Sequence, residues 1–246
     1  MPEFKVEPSP IGRIVVAPNV PPGRAVFYTT GDFPGRLTPD VARELTTLVA
    51  TRFGIDASLT TCTQVHGRTA ARAQREHAWS ECDSCDALWS AERGVALGIK
   101  VADCLPIAMV DPIHDAVANV HSGWRGAAQR IVSETLETLM RETSFSPADA
   151  SAWLGPSIRA CCFEVGEEVV AEFAKSYENA ERYVDRSHAK PHIDLPALTA
   201  DVLRGRGFSA ERIFDSELCT RCEGSIFHSY RRDNKSGGRN LGFVAQ

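Results

Sequence analysis

Apolar and polar residues alternate through much of this chain, and in a few places apolar residues recur every three to four positions. The first pattern marks half-buried strands and the second amphipathic helices. "RAVFYTT" (24–30), rich in β-branched and aromatic residues, predicts a strand. "TPDVARELTTLVATRFG" (38–54) predicts a helix with Val41, Leu45, Leu48 and Phe53 as its apolar stripe. Thr38 suits its N-cap, Pro39 its first turn and Gly54 the residue past its end. "LTTCTQVHG" (59–67) alternates as a strand, which would put Cys62, Gln64 and His66 on one face. Three more strands are predicted over 94–102, 105–111 and 115–121, the first two parted only by the corner Asp103–Cys104. The clearest helical period runs over 124–143, with Ala128, Ile131, Thr135, Leu136 and Leu139 on one side. Further on, a strand is expected at 149–154, helices at 166–177 and 195–204, and strands at 211–216, 225–231 and 239–244. Pro8, Pro10, Pro18, Pro21 and Pro22 make the first 22 residues an extended arm or edge strand. Strands that follow one another without helices between them favour an α+β fold, mixed sheets flanked by helices, over a doubly wound sheet. We read residues 1–246 as one domain.

Composition narrows the class of function. A net charge of -5 with no long basic run argues against nucleic-acid binding. No stretch approaches a membrane span, and the first residues lack the apolar core of a secretory signal, so a cytoplasmic protein is expected. In that compartment the eight cysteines point to metal binding or catalysis before disulfides.

His66, Cys104 and His121 each fall at a predicted strand end, where side chains can turn into a shared pocket. Two imidazoles and a thiolate suit a catalytic zinc, with a fourth position open and water acidified towards neutrality; copper also tolerates this set. Two other readings use the same atoms. Cys104 fits an apolar run as a small hydrophobe, or serves as a nucleophile with His121 as its base, as in a cysteine hydrolase. A metal-bound thiolate is not a free nucleophile, so the metal and hydrolase readings compete.

The segments "TQVHG" (63–67), "DALW" (86–89), "ADCLP" (102–106), "VHSGWRGAA" (120–128), "LGPSIRACCFEVG" (154–166) and "SYRRDNKSGGRNLGFV" (229–244) come in the order of one family. Over residues 60–245 the chain resembles the laccase-domain proteins, once called multicopper polyphenol oxidases. Members are now described as purine nucleoside phosphorylases with adenosine deaminase activity, and some as peptidoglycan editing factors. The resemblance implies a compact sandwich related to the cytotoxic necrotizing factor fold, whose toxins use a Cys–His pair. It also implies metal ligation by His66, Cys104 and His121. The family's FTTR-type segment has Gly31 where its arginine is expected, which puts one substrate or phosphate contact in doubt.

The laccase name itself does not fit a residue count. A trinuclear copper cluster needs many histidines, commonly as H-x-H pairs, and this chain has seven His and no such pair. Phosphorolysis instead needs phosphate held near ribose C1′. Arg125, at the head of the 124–143 helix, and Arg231, Arg232, Lys235 and Arg239 around "KSGG" suit that task. Gln64 is a further candidate substrate contact, and Asp103 a candidate acid/base or support beside Cys104 and His121. The usual deaminase signature, H-x-E with P-C-x-x-C, is absent. Cys161 and Cys162 are expected to pack. "CDSC" (82–85) and "CTRC" (219–222) would, if paired, form a structural zinc site of Cys82, Cys85, Cys219 and Cys222.

The reading is thus a zinc enzyme, with copper as the alternative ion, whose partners are a purine nucleoside and phosphate. Adenosine and inosine are its expected substrates, guanosine and methylthioadenosine further candidates. It would act as a monomer or homodimer, without nucleic acid or membrane. The rivals are a cysteine-type amidase on peptidoglycan precursors, a copper polyphenol oxidase, and a metal- or nucleotide-binding regulator without turnover.

Overall fold

A computed structural model describes residues 3–75, 79–234 and 237–246. Its first helix forms where the sequence signals placed it. Helix α1 spans Pro39–Phe53; Thr38 Oγ1 accepts from the Val41 amide, and Gly54, at φ 69°, closes the end. One face of α1, carrying Ala42, Leu45, Leu48 and Val49, is buried.

Two sheets make the body. The first is seven-stranded. It holds β1 (Lys5–Glu7), β2 (Ile14–Val16), β3 (Ala25–Thr29), β4 (Ser58–Cys62) and β6 (Trp79–Cys82), with β8 (Val95–Val101) and β15 (Asn240–Ala245). The second is six-stranded. It holds β5 (Ala70–Arg72), β7 (Ala87–Ser90), β9 (Leu105–Asp111), β10 (Ala116–Ser122), β11 (Ser151–Leu154) and β14 (Ile213–Asp215). The spatial orders are β1-β2-β3-β15-β8-β4-β6 and β14-β11-β9-β10-β7-β5. A two-stranded ribbon pairs β12 (Val184–Asp185) with β13 (His192–Ile193).

Alternation along the strands builds four layers. Val26, Tyr28, Leu97 and Ile99 of the first sheet meet Ala108, Val110, Val117 and Trp153 of the second in a shared core. The opposite face of the first sheet, with Phe27, Leu59 and Phe243, packs on α1. The outer face of the second sheet, with Ile107, Met109 and Val120, lies under the remaining helices. These are α2 (Trp124–Ala128), α3 (Ile131–Glu142), α4 (Glu167–Ser176) and α5 (Leu195–Gly205). Glycine sets the closest approach between layers: a Cβ on Gly155 would lie 2.1 Å from the Tyr28 ring.

Several expectations change. The helix foreseen over 124–143 is two helices, because Arg130 adopts a left-handed φ of 63° between them. Residues 225–231 form turns around an irregular stretch at 227–229, not a strand. The strand foreseen over 59–67 stops at Cys62, so Gln64 and His66 sit on a loop rather than on one face with it. The N-terminal arm supplies β1 and β2, with β1 at the sheet edge. Among the described residues, no helix is long and apolar enough to cross a membrane.

Candidate metal centre and active site

The site lies where the chain passes between the sheets. After β4 the loop carrying His66 leads from the first sheet to β5 of the second, and the Asp103–Cys104 corner carries β8 of the first into β9 of the second. His121 is the penultimate residue of β10, beside them. Two sharp backbone reversals build these crossings: His66 at φ 58° and Asp103 at φ 84°. Left-handed backbone costs a non-glycine residue about 1–2 kcal/mol, so each must be held by its surroundings.

Asp86 holds the first. Its buried carboxylate accepts from three consecutive backbone amides: Val65 at 3.2 Å, His66 at 2.9 Å and Gly67 at 2.7 Å. The same carboxylate takes His121 Nδ1 at 2.8 Å. One acid therefore fixes both the loop of one histidine and the ring of the other. Asp103 is held at both oxygens, by Thr220 Oγ1 at 2.6 Å and the Arg231 amide at 2.7 Å. Its own carbonyl takes the Ile158 amide at 2.9 Å.

The result is convergence. One ligand atom each from His66, Cys104 and His121 lies within 4.8 Å of the others. The two imidazoles meet edge to face with centroids 4.8 Å apart. With Nδ1 given to Asp86, His121 has Nε2 left for the Cys104 side. Gly123 leaves the room: a Cβ there would sit 3.0 Å from both Cys104 Sγ and His66 Nδ1. Three convergent soft or borderline donors, a fixed tautomer and a glycine-lined recess fit a transition metal of the zinc or copper type.

Electrostatics set the two rings apart: His66 is held in the ligating form, whereas a metal would have to displace a proton from His121. Burial, then the His121 charge, lowers the His66 pKa and favours the neutral, ligating form. Burial pushes His121 down, but Cys104 and Asp86 outweigh it and raise it to about 9 in the metal-free protein. Burial also pushes Asp86 up, yet the His121 hydrogen bond and the amides hold it below the ordinary carboxylate value.

Around the three donors lies a cavity of about 620 Å³, lined also by Gln64, Asp103, Arg125, Arg231 and Arg239. Arg125 stacks on Trp124 at 4.5 Å and makes no ion pair with a described carboxylate. Arg231 donates to the Glu164 carbonyl, close enough for its charge to help lower the Glu164 carboxyl, and Arg239 donates to the carbonyls of Gly237 and Gly238. Arg232 instead turns away to Thr220, Phe227 and Asp233. Lys235 lies outside the described residues. Gln64 reaches the cavity but gives both ends of its amide to the Lys100 backbone, at 2.7 and 2.9 Å. It acts as a strand-like clasp on β8. Gly31, at the place of the expected arginine, bonds through its amide to the Ile226 carbonyl.

The two C-x₂-C pairs do not meet. Cys219 and Cys222 cluster with Cys161 and Cys162, whereas Cys85 interacts with Cys62 and Cys82 packs in the core between the sheets. Local spacing was equally good for both pairs; the partner was set by the turn at 160–162. Asp86 was missed as a functional residue. Its signal was a carboxylate at the head of the apolar strand "ALWS", where no solvent-facing role is open to it.

Residues 37–246 match the family model for the multi-copper polyphenol oxidoreductase laccase family. The chain belongs to that family. It is 34% identical over 215 residues to the purine nucleoside phosphorylase SCO2081 of Streptomyces coelicolor, covering 87% of this chain and 84% of that one. It is 40% identical over 161 residues to adenosine deaminase RL5 of an unknown prokaryotic organism, covering 65% of this chain and 61% of that protein. The match to the purine nucleoside phosphorylase YlmD of Bacillus subtilis, at 30% identity, takes in 74% of this chain and 65% of the relative. With these last two relatives the shared region is thus under two thirds of the relative's length. The crystal structure of YlmD from Geobacillus stearothermophilus superposes with a TM-score of 0.84 at 25% identity, covering 100% of this chain and 99% of that one.

Proposed function

We propose that this chain is a metal-dependent purine nucleoside phosphorylase that also deaminates adenosine. The observation that carries this reading is the meeting of His66, Cys104 and His121 in a cavity with three arginines on its wall. Relatives named as an adenosine deaminase and a purine nucleoside phosphorylase support this reading. The cavity volume lies in the range of small-molecule sites, about 300–1,000 Å³.

A divalent ion held by His66, Cys104 and His121 would supply Lewis acidity, with water acidified for attack near neutral pH. The protein's own groups do the rest. Arg125, Arg231 and Arg239 bind and orient phosphate by charge-assisted hydrogen bonds, so that one oxygen faces ribose C1′. The phosphate oxygen bonds to C1′ as the C1′–N9 bond breaks, and the purine leaves with that electron pair and takes up the proton that hydrogen phosphate gives up. Trp124, Phe163 and Tyr230 give the cavity an aromatic wall suited to a flat heterocycle. For deamination, water adds at C6 and ammonia leaves. Asp86 keeps the proton on His121 Nδ1 throughout, which prevents the ring from turning.

Purified protein tests the reading with adenosine and inosine, with and without phosphate. Free base and ribose 1-phosphate should form only with phosphate, and inosine should form from adenosine without it. No product under any metal loading refutes the proposal.

A second reading rests on one observation: Asp86, His121 and Cys104 stand in the order of an acid–base–nucleophile relay. A cysteine hydrolase would survive chelation and die on alkylation of Cys104. The metalloenzyme would be lost on chelation and restored by zinc or copper.

A further inference from the structure

A second cluster of thiols lies behind the cavity wall. Cys161 and Cys162 stand on the turn at 160–162, and Cys219 and Cys222 bracket the turn at 220–222. The Cys222 sulfur lies 3.7 Å from that of Cys161 and 3.4 Å from that of Cys162. All four sulfurs lie within 4.8 Å of one another.

Those separations are thiol contacts, and they are also the spacing that a shared ion needs. Four thiolates about 2.3 Å from a tetrahedral ion stand about 3.8 Å from each other. A disulfide would need about 2.05 Å. Backbone amides of Cys222, Arg221 and Arg159 are also aimed at Cys219 Sγ. Such amides stabilise a thiolate, and they come from the second half of the same C-x₂-C turn and from the facing loop. Cys162 and Cys219 are buried while Cys161 and Cys222 reach the surface, which leaves an entry path for an ion.

We propose that Cys161, Cys162, Cys219 and Cys222 bind one structural zinc ion, separate from the site in the cavity. Four thiolates close the coordination shell, so this ion has no place for substrate. Binding displaces thiol protons to solvent. Its effect is mechanical. The ion joins the loop 157–163 to the loop 216–223, adding to the Ser157 amide on the Leu218 carbonyl, the Thr220 amide on the Ser157 carbonyl and the Arg159 amide on Cys219 Sγ. Ile158 and Phe163 of the first loop line the cavity. Thr220 of the second grips Asp103 beside Cys104. A zinc clasp there would hold the back wall of the cavity and the corner that presents Cys104.

Zinc counting by elemental analysis tests this on the whole chain, after reconstitution and removal of loose metal. Wild type should hold two zinc ions. His66→Ala/His121→Ala should keep one, and cobalt in that variant should give the intense visible bands of a tetrahedral thiolate site. Cys219→Ser/Cys222→Ser should lose that ion. If the cavity holds no metal but the clasp is real, wild type holds one zinc, indifferent to the histidine changes and lost with the cysteine pair. A zinc count unmoved by the cysteine substitutions overturns the proposal. Should that variant fail to fold, wild-type protein gives the answer: zinc should shield Cys161 and Cys222 from iodoacetamide and a chelator should expose them. Equal labelling in both states, or a stable disulfide among the four in zinc-loaded protein, refutes the clasp.

Discussion

Asp86→Asn is the sharpest probe of the cavity site, because the substitution keeps shape and changes only what two atoms can do. The carboxylate has two accepting ends. Oδ1 serves His66 N and His121 Nδ1; Oδ2 serves Val65 N and Gly67 N. Asparagine keeps one accepting oxygen and puts an NH₂ at the other end, facing donors. Whichever way the amide turns, two donors, part-buried except for the His121 ring, lose their acceptor. Each such loss costs about 1–3 kcal/mol, so the variant should be less stable by about 2–6 kcal/mol. Loss of the support behind a ligating histidine should also weaken metal binding by about 10–100-fold. Urea unfolding of metal-free protein reads the first effect, and competition with a chromophoric chelator the second. Unfolding within about 0.5 kcal/mol of wild type, together with unchanged metal affinity, would show that Asp86 does not organise the site.

Arg125→Ala should raise the KM for phosphate by about ten- to a hundredfold, the equivalent of one charge-assisted hydrogen bond of about 1.5–3 kcal/mol. Phosphorolysis should suffer more than phosphate-free deamination; equal loss in both would place Arg125 on the nucleoside instead. Asp111, buried under the amides of Ile113, His114 and Ser146 and the His114 ring, predicts an acid limb in stability. Burial pushes its carboxyl up, but these partners hold it below the usual value. A depressed folded pKa contributes stability above the unfolded value of about 3.9 and loses it as pH falls through the folded one. The gap between wild type and Asp111→Asn, read by thermal unfolding, should therefore be full at neutral pH and shrink below about pH 4; a gap that stays constant to pH 2 would contradict this.

Local physics was legible in the sequence, and tertiary partnership only in part. The α1 caps, Thr38 and Gly54, act within a few residues of themselves, so composition alone places them. The triple of His66, Cys104 and His121 was visible because each donor precedes or follows an apolar run that had to be a strand. The break at Arg130 was hidden, since the apolar period of Ala128, Ile131, Thr135 and Leu136 runs straight through it. Gln64 reads like a free polar side chain until β8 is beside it. The cysteine pairs show the limit most plainly: C-x₂-C spacing describes half of a metal site, and only the fold says which other half it meets.

Because both loops at the cavity cross from one sheet to the other, neither sheet alone carries the full donor set. A chain with only one half ordered would offer incomplete ligation and hold ions weakly. Tight capture thus becomes possible only once the sandwich has closed, and a captured ion in turn favours the closed state by mass action. Metal supply during synthesis would then influence how much of this protein survives quality control, apart from any effect on turnover.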